Sequence, residues 1–195
     1  MLFADPRRGW RIKLDLLPDL LAAGLDVVFV GTAAGRISAK VGSYYAHRGN
    51  RFWRTLHEVG LTPRLYTPDE FRRLLDLGIG LTDLSKVAAG MDSQIQLSHY
   101  DLVRFTARMK DFRPRSIAFT SKRAASIWMQ VPTDQINFGL QPSAADFPTV
   151  FVLPSPSGAA AAYWSIEPWQ QLADWVTDKR SRDNRRRLSL ELKSS

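Results

Sequence analysis

The sequence predicts an α/β domain of three layers, in which a short and mostly parallel central sheet has helices on both faces. Short apolar runs, typical of buried strands, alternate along the chain with longer segments whose apolar residues recur at helical spacing. This alternation is typical of a parallel sheet that is covered on both sides. The chain has 195 residues, which suffices for one such domain but not for two domains and a linker.

Three runs rich in β-branched and aromatic residues are the candidate strands: 26–30 (DVVFV), 116–120 (SIAFT) and 149–153 (TVFVL). Small residues and prolines close the first and third runs at 31–35 (GTAAG) and 154–158 (PSPSG), as expected where strands end. Ligands of open α/β sheets bind beyond the carboxyl ends of the strands. The loops after Val30 and Leu153 are therefore the predicted location of a site.

Five segments carry apolar residues at the spacing of an α-helix: 50–59, 68–77, 100–112, 122–129 and 168–178. In the first, Asn50 is the predicted cap and Phe52 and Trp53 are predicted to be buried, so Arg48 and Arg51 beside them are expected to be structural. Residues 1–178 should form a single domain. The arginine-rich residues 179–195 are predicted to be a mobile basic tail without fixed structure.

The composition limits the function classes. Lys and Arg number 27 against 19 Asp and Glu, for a net charge of +8, of which residues 179–195 carry +5. This balance favours a polyanionic partner. The absence of cysteine excludes disulfides, thiolate metal sites and cysteine nucleophiles. The start has no apolar leader and no apolar stretch is long enough to span a bilayer, so we expect a soluble cytoplasmic protein that does not bind membranes.

No cofactor or metal motif is present along the chain. Residues 31–35 lack the lysine and hydroxyl of a phosphate-binding P-loop and do not match G-x-G-x-x-G. The three histidines show no metal-ligand spacing, and Ser155 and Ser157 lie outside any G-x-S-x-G elbow. We therefore expect no nucleotide cofactor and no metal.

Five segments follow one another in a specific order: 31–35 (GTAAG), 44–53 (YYAHRGNRFW), 78–84 (GIGLTDL), 137–142 (NFGLQP) and 152–158 (VLPSPSG). At these separations they resemble the mismatch-specific uracil-DNA and thymine-DNA glycosylase branch of the uracil-DNA glycosylase superfamily. The resemblance covers residues 25–178. Its most specific elements are the helix start at 50–53, a turn at 80–82 and the loop at 154–158.

The resemblance implies a compact α/β/α domain that acts as a monofunctional DNA repair glycosylase. Such an enzyme flips deoxyuridine out of DNA and hydrolyses its N-glycosidic bond, which leaves an abasic site, without metal or organic cofactor. The implied partner is DNA that contains uracil or an abasic site. We expect the protein to act as a monomer.

The resemblance also implies which residues hold the flipped base. Tyr45 is at the position of the stacking ring, and base–aromatic stacking contributes about 1–3 kcal/mol. Asp83 is at the position of a base-recognising asparagine, and its carboxylate can accept the uracil N3–H. The backbone N–H groups of Thr32 and Ala33 are expected to face the base. The alternatives are core packing for Tyr45 and a helix-capping or loop role for Asp83.

Contacts to the DNA backbone are expected from both loops that close the predicted strands. The Ser157 hydroxyl and the Gly158 N–H, next to Ala159, lie in one loop, and Gly35 and Arg36 lie in the other. Such groups position phosphates without recognising sequence. The basic tail either adds salt-sensitive, nonspecific affinity for DNA or is a solvated end without a partner.

Four positions depart from the family's pattern. Ala33 replaces the asparagine that positions the attacking water, and Ser155 replaces the asparagine that begins the last loop. Ala159 and Ala160 replace the residues that fill the gap left by the flipped base, and an alanine fills such a gap poorly.

Three accounts are compatible with these departures. In the first, uracil leaves as an anion that the backbone N–H groups near Thr32 and Ala33 stabilise. In the second, Asp83 or Ser155 orients the attacking water, a contribution of about 10²–10⁴-fold for a positioned general base. In the third, the chemistry is lost and the protein binds uracil-containing or abasic DNA without cleaving it.

Overall fold

The computed structural model describes residues 15–191, and its centre is a five-stranded sheet in the order β2-β1-β3-β5-β4. The strands are β1 (Val27–Ala34), β2 (Ile79–Ala89), β3 (Ser116–Phe119), β4 (Gly139–Gln141) and β5 (Thr149–Val152). Neighbouring strands from β2 to β5 in this order are parallel, and β4 pairs antiparallel with β5. The prediction of a short, mostly parallel sheet is confirmed.

Helices connect these strands. The α-helices are α1 (Arg36–Val41), α2 (Phe52–Glu58), α3 (Leu102–Phe112), α4 (Lys122–Met129) and α5 (Glu167–Glu191). Shorter 3₁₀ segments are Pro68–Leu77, Asp92–Gln94, Leu97–His99, Thr133–Gln135 and Gly158–Tyr163. The helix predicted at 68–77 is thus a 3₁₀ segment with the predicted limits.

Two hydrophobic cores lie on opposite faces of the sheet. Val27 and Phe29 of β1 belong to a core that also contains α2, α5 and the 3₁₀ segment Pro68–Leu77. Val28 and Val30 belong to a second core, built with α3 and α4. Successive side chains of a strand point to opposite faces, so β1 contributes to both cores. The predicted α/β/α layering is confirmed.

Strand β2 was not predicted. Residues 80–82, which were predicted to form a turn, lie inside this strand, and residues 79–86 are all buried. The strand carries Thr82, Asp83, Ser85 and Lys86, so it lacks the continuous apolar run that is typical of an interior parallel strand. Strand β1 also extends four residues beyond Val30, because β2 supplies the partner for residues that were predicted to be a loop.

The C-terminal residues also differ from the prediction, because α5 continues without a break to Glu191. Arg180 binds Asp26 (Nε to Oδ2, 2.7 Å) and the Leu77 carbonyl, and Asp183 forms an ion pair with Arg115. Arginine and leucine are good helix formers, and these contacts fix the first turn of the tail. The prediction of no fixed structure from residue 179 is therefore wrong as far as Glu191.

No helix among residues 15–191 is both long enough and apolar enough to cross a membrane. The predictions for the start of the chain, and those for residues 192–195 of the tail, lie outside the described residues.

Candidate active site

A cavity of about 960 Å³ opens at the carboxyl ends of the strands. It lies between the end of β1, the segment after β2, the end of β3 and the loop after β5. All ten site residues predicted from the sequence line it: Thr32, Ala33, Gly35, Arg36, Tyr45, Asp83, Ser155, Ser157, Gly158 and Ala159. The structure therefore brings the predicted residues together, while their individual roles stay predictions.

Tyr45 forms a fixed aromatic wall of the cavity. Its ring stacks on Phe52 with ring centroids 3.9 Å apart, and its hydroxyl lies 3.3 Å from Thr120 Oγ1. Burial, and then the charge of Asp83, raise the pKa of the Tyr45 phenol well above its usual value, so the hydroxyl is protonated at neutral pH. Because Phe52 covers one face of the ring, only the opposite face is left for stacking with a ligand in the cavity. Tyr45 thus packs on the core and also lines the cavity.

Asp83 lies within β2, directly opposite Gly31 of β1. Its carboxylate is so close to the Gly31 backbone that any side chain there would overlap Oδ1, and the Tyr45 hydroxyl approaches the same point. Only 6% of Asp83 is exposed. Asp83 therefore neither caps a helix nor lies in a loop, which were the alternatives to base binding. The pairing of β2 with β1 fixes the position of its carboxylate.

The backbone at the end of β1 offers a hydrogen-bond donor to the cavity. The Val30 carbonyl accepts from Thr120 N (3.0 Å), so the polar backbone groups of Val30 point towards β3. Backbone groups alternate sides along a strand, and the Thr32 groups therefore point the same way. Since β3 ends at Phe119, this alternation directs the Thr32 N–H towards the cavity that Thr32 lines. The Ala33 N–H is directed towards β2, where Ala33 pairs with Ser85, and not, as predicted, towards the base.

A buried charge cluster lies behind Tyr44 and Asp83. Lys86, which is 7% exposed, forms an ion pair with Asp19, and its Nζ donates to the Tyr44 hydroxyl at 3.3 Å. Arg108 also pairs with Asp19. Burial lowers the pKa of Lys86, and the negative charge of Asp83 opposes this shift. The strand that carries Asp83 thus also places a buried cation beneath the cavity wall.

Local hydrogen bonds shape the loop after β5. Ser155 Oγ accepts from Ser157 N (3.3 Å), and Ser157 Oγ accepts from Ala159 N (3.4 Å) at the start of the 3₁₀ segment. The Pro156 carbonyl accepts from Arg51 N (2.8 Å). The N-cap of α2 is Arg51 and not, as predicted, Asn50, although Asn50 Oδ1 accepts from Phe52 N (3.0 Å) one residue further on. The segment 50–53 therefore fixes the loop while Phe52 supports Tyr45.

Several cavity residues were not predicted: His47, Asn50, Met91, Gln94, Thr120 and Ser121. Thr120 and Ser121 follow β3, and the rule that sites form at the carboxyl ends of strands applies to that strand too. The segment with Met91 and Gln94 follows β2, so it could not be placed while β2 itself was unrecognised. Among residues 15–191, no group of three or more His, Asp or Glu side chains could hold a metal ion.

Comparison with known proteins gives the family. The model of the uracil DNA glycosylase superfamily matches residues 18–176, which include every strand and nearly all of the cavity's walls. The chain belongs to the uracil DNA glycosylase superfamily. The resemblance inferred from the five segments is thereby confirmed at the level of the superfamily.

A solved structure supports the same fold. The solution NMR structure of a candidate uracil DNA glycosylase from Methanosarcina acetivorans matches with a TM-score of 0.57 and 21% sequence identity. The match covers 86% of this chain and 99% of the Methanosarcina chain. At this identity the likeness concerns the fold of the superfamily domain.

Proposed function

We propose that the protein is a monofunctional DNA glycosylase that flips deoxyuridine out of DNA and hydrolyses its N-glycosidic bond. The observation that carries the proposal is the convergence of three groups in one cavity of a superfamily domain. These are the Tyr45 ring, the buried Asp83 carboxylate and the Thr32 N–H. Together they offer stacking, an acceptor and a donor, which are the contacts that hold a flipped base.

The arrangement suits a reaction in which the base departs early. Bond breaking places negative charge on the uracil ring, and a fixed backbone N–H at Thr32 can stabilise that charge because it needs no reorganisation. The Asp83 carboxylate accepts the N3–H and so holds the ring in position. Asp83 takes one proton from water as the hydroxide joins C1′ of the sugar, and this proton then neutralises the departing uracil anion, so that the products are free uracil and an abasic site.

Asp83 is a stronger candidate than Ser155 for orienting that water. An ionised carboxylate accepts a proton readily, whereas a serine hydroxyl does so poorly without a base of its own. Ser155 Oγ is also engaged in accepting the Ser157 N–H. We assign Ser155, Ser157 and the Gly158 N–H to the DNA strand that flanks the flipped nucleotide, together with the exposed Arg36.

Single-turnover incubation with oligomers that contain one deoxyuridine tests the proposal. The expected result is free uracil and alkali-labile strands, from single-stranded or duplex DNA, and no cleavage of a matched oligomer with cytosine at that position. The Val103→Ala variant is a suitable control, since Val103 is 83% exposed on α3 and lies outside the cavity wall. Absence of uracil release from both substrates would refute the proposal, whether or not the protein binds them.

One observation favours a second candidate, a noncatalytic protein that binds uracil-containing or abasic DNA. Ala33 lines the cavity at the position where the family resemblance implies a water-positioning asparagine. A methyl group cannot hold water. Stable binding to a uracil duplex with intact strands after alkali would establish this alternative, whereas release of uracil would exclude it.

A further inference from the structure

Met91 is a large apolar side chain at the mouth of the cavity. It lines the cavity and is nevertheless 64% exposed. The loop after β5, a strand separated from β2 by β1 and β3 in the sheet, contributes Gly158, Ala159 and Ala160 to the cavity lining, and these residues are too small to fill the space of a missing base. The rim is therefore asymmetric, with its bulky apolar group on the segment after β2.

The backbone that carries Met91 is held in place while the side chain is exposed. Gly90 N donates to the Ala34 carbonyl at the end of β1 (3.0 Å), and Met91 N donates to Gln94 Oε1 (3.2 Å). Gly90 has φ 143°, and a Cβ there would come within 2.8 Å of Gln94 Oε1. A glycine is thus required for the turn that presents Met91.

The side-chain amide of Gln94 connects the Met91 backbone to the side chain of Arg36. Gln94 Oε1 also accepts from Arg36 Nη2 (3.1 Å), and Arg36 is exposed at the rim. A phosphate bound by Arg36 would therefore lie beside the segment that carries Met91. Through these two hydrogen bonds of Gln94, the apolar Met91 lies near Arg36, the residue assigned to the DNA backbone.

We propose that Met91 is the wedge that enters the duplex and occupies the space vacated by the flipped nucleotide. The inference rests on the proposed function, because it requires a base to leave the stack. Apolar side chains, methionine among them, insert between base pairs and offset the cost of unstacking. The unbranched, flexible thioether of methionine fits an irregular gap. Met91 would thus take over a task that Ala159 and Ala160 cannot perform.

The test compares excision from duplex and from single-stranded DNA, because only the duplex has a stack to fill. Met91→Ala should lower the single-turnover rate on the duplex by about tenfold or more and leave the single-stranded rate unchanged. Met91→Leu should restore most of the duplex rate. Leu97→Ala is the matched control, since Leu97 is 75% exposed on the same connection but does not line the cavity.

A second readout does not depend on catalysis. The fluorescence of 2-aminopurine next to the uracil should rise when wild-type protein binds the duplex, and this rise should be absent in Met91→Ala and kept in Leu97→Ala. A rise without uracil release would refute the proposed glycosylase activity but not the wedge. Equal duplex rates, equal decreases on both substrates, or an unchanged fluorescence rise in Met91→Ala would overturn the assignment of Met91.

Discussion

Tyr45 has two groups that can be tested separately, its ring and its hydroxyl. The ring stacks on Phe52 and lines the cavity, whereas the hydroxyl contacts Thr120. Tyr45→Phe should keep stacking and lower the excision rate by no more than a few fold. Tyr45→Ala should remove about 1–3 kcal/mol of stacking and weaken binding of uracil DNA about tenfold or more. Binding titrations and single-turnover rates check both variants, and equal behaviour of Phe and Ala would exclude the ring from base binding.

Asp83 combines two possible functions in one carboxylate, and the Asp83→Asn variant separates them. An amide still accepts a hydrogen bond, and it can also donate to uracil O4, but it cannot take a proton from water. We expect the single-turnover rate to fall by about 10²-fold or more while binding of uracil DNA is kept. If Asp83 serves only to recognise the base, the rate should instead survive or the base preference should change.

At the scale of elements, the 3₁₀ segment Pro68–Leu77 depends on one carboxylate at its start. Arg64 binds Glu70 through both terminal nitrogens (3.0 and 2.5 Å), and Glu70 also accepts from Thr67 N (3.1 Å). The Arg64 hydrogen bonds, and then the Thr67 N–H, lower the pKa of Glu70 from 4.5 to about 2. The charged form of Glu70 is thus favoured by the folded state.

This lowered pKa predicts a contribution to acid stability. A carboxyl group whose pKa is lower in the folded than in the unfolded state stabilises the fold when it is ionised. For Glu70 this contribution is complete above the unfolded-state pKa of 4.5 and disappears as the pH falls towards 2. Glu70→Gln should therefore destabilise the protein at neutral pH, and its difference from wild type should shrink below pH 4.5. Urea unfolding at several pH values measures this. Arg64→Ala should reproduce the effect, and a difference that does not vary with pH would contradict it.

Strands could be predicted from the sequence where their buried residues are apolar, and not where buried residues are charged. The strands β1, β3 and β5 were predicted because their buried residues are apolar on both faces, and the ends of β1 and β5 correctly located the cavity. Strand β2 was missed because Asp83 and Lys86 are buried charges. Their partners, such as Asp19 for Lys86, are distant in sequence. Because β2 was not recognised, Met91 after it was not recognised either. Thr120 was not recognised as a cavity residue although it is the last residue of a predicted strand.

At the scale of the whole molecule, the cavity and the basic helix end lie at opposite ends of the sheet. Helix α5 starts beside the cavity, where Trp169 Nε1 donates to the Pro154 carbonyl (3.1 Å), and it reaches the amino end of β1 at Arg180. The eight residues of β1 span about 26 Å. Beyond Arg180 the helix continues for about another 16 Å to Glu191. The terminal arginines are thus remote from any base in the cavity.

This separation predicts different effects of the tail on short and long DNA. Four exposed arginines lie beyond the contact with Asp26: Arg182, Arg185, Arg186 and Arg187. Their replacement by glutamine should leave the single-turnover excision rate on a saturating short oligomer within about twofold, because they are too far away to touch it. On long duplex DNA the affinity should fall, and the slope of log K against log salt should decrease by about 0.9 for each phosphate that the variant no longer neutralises.

Arg180 serves as the internal comparison, since it pairs with Asp26 and belongs to the fold. Arg180→Gln should lower the free energy of unfolding without a specific effect on the salt slope, and thermal unfolding together with salt titrations distinguishes the two groups. A fourfold glutamine variant with unchanged affinity for long DNA would show that the basic end is solvated and has no nucleic-acid partner. A large drop in excision on the short oligomer would instead mean that DNA bound at the cavity also reaches the far end of α5.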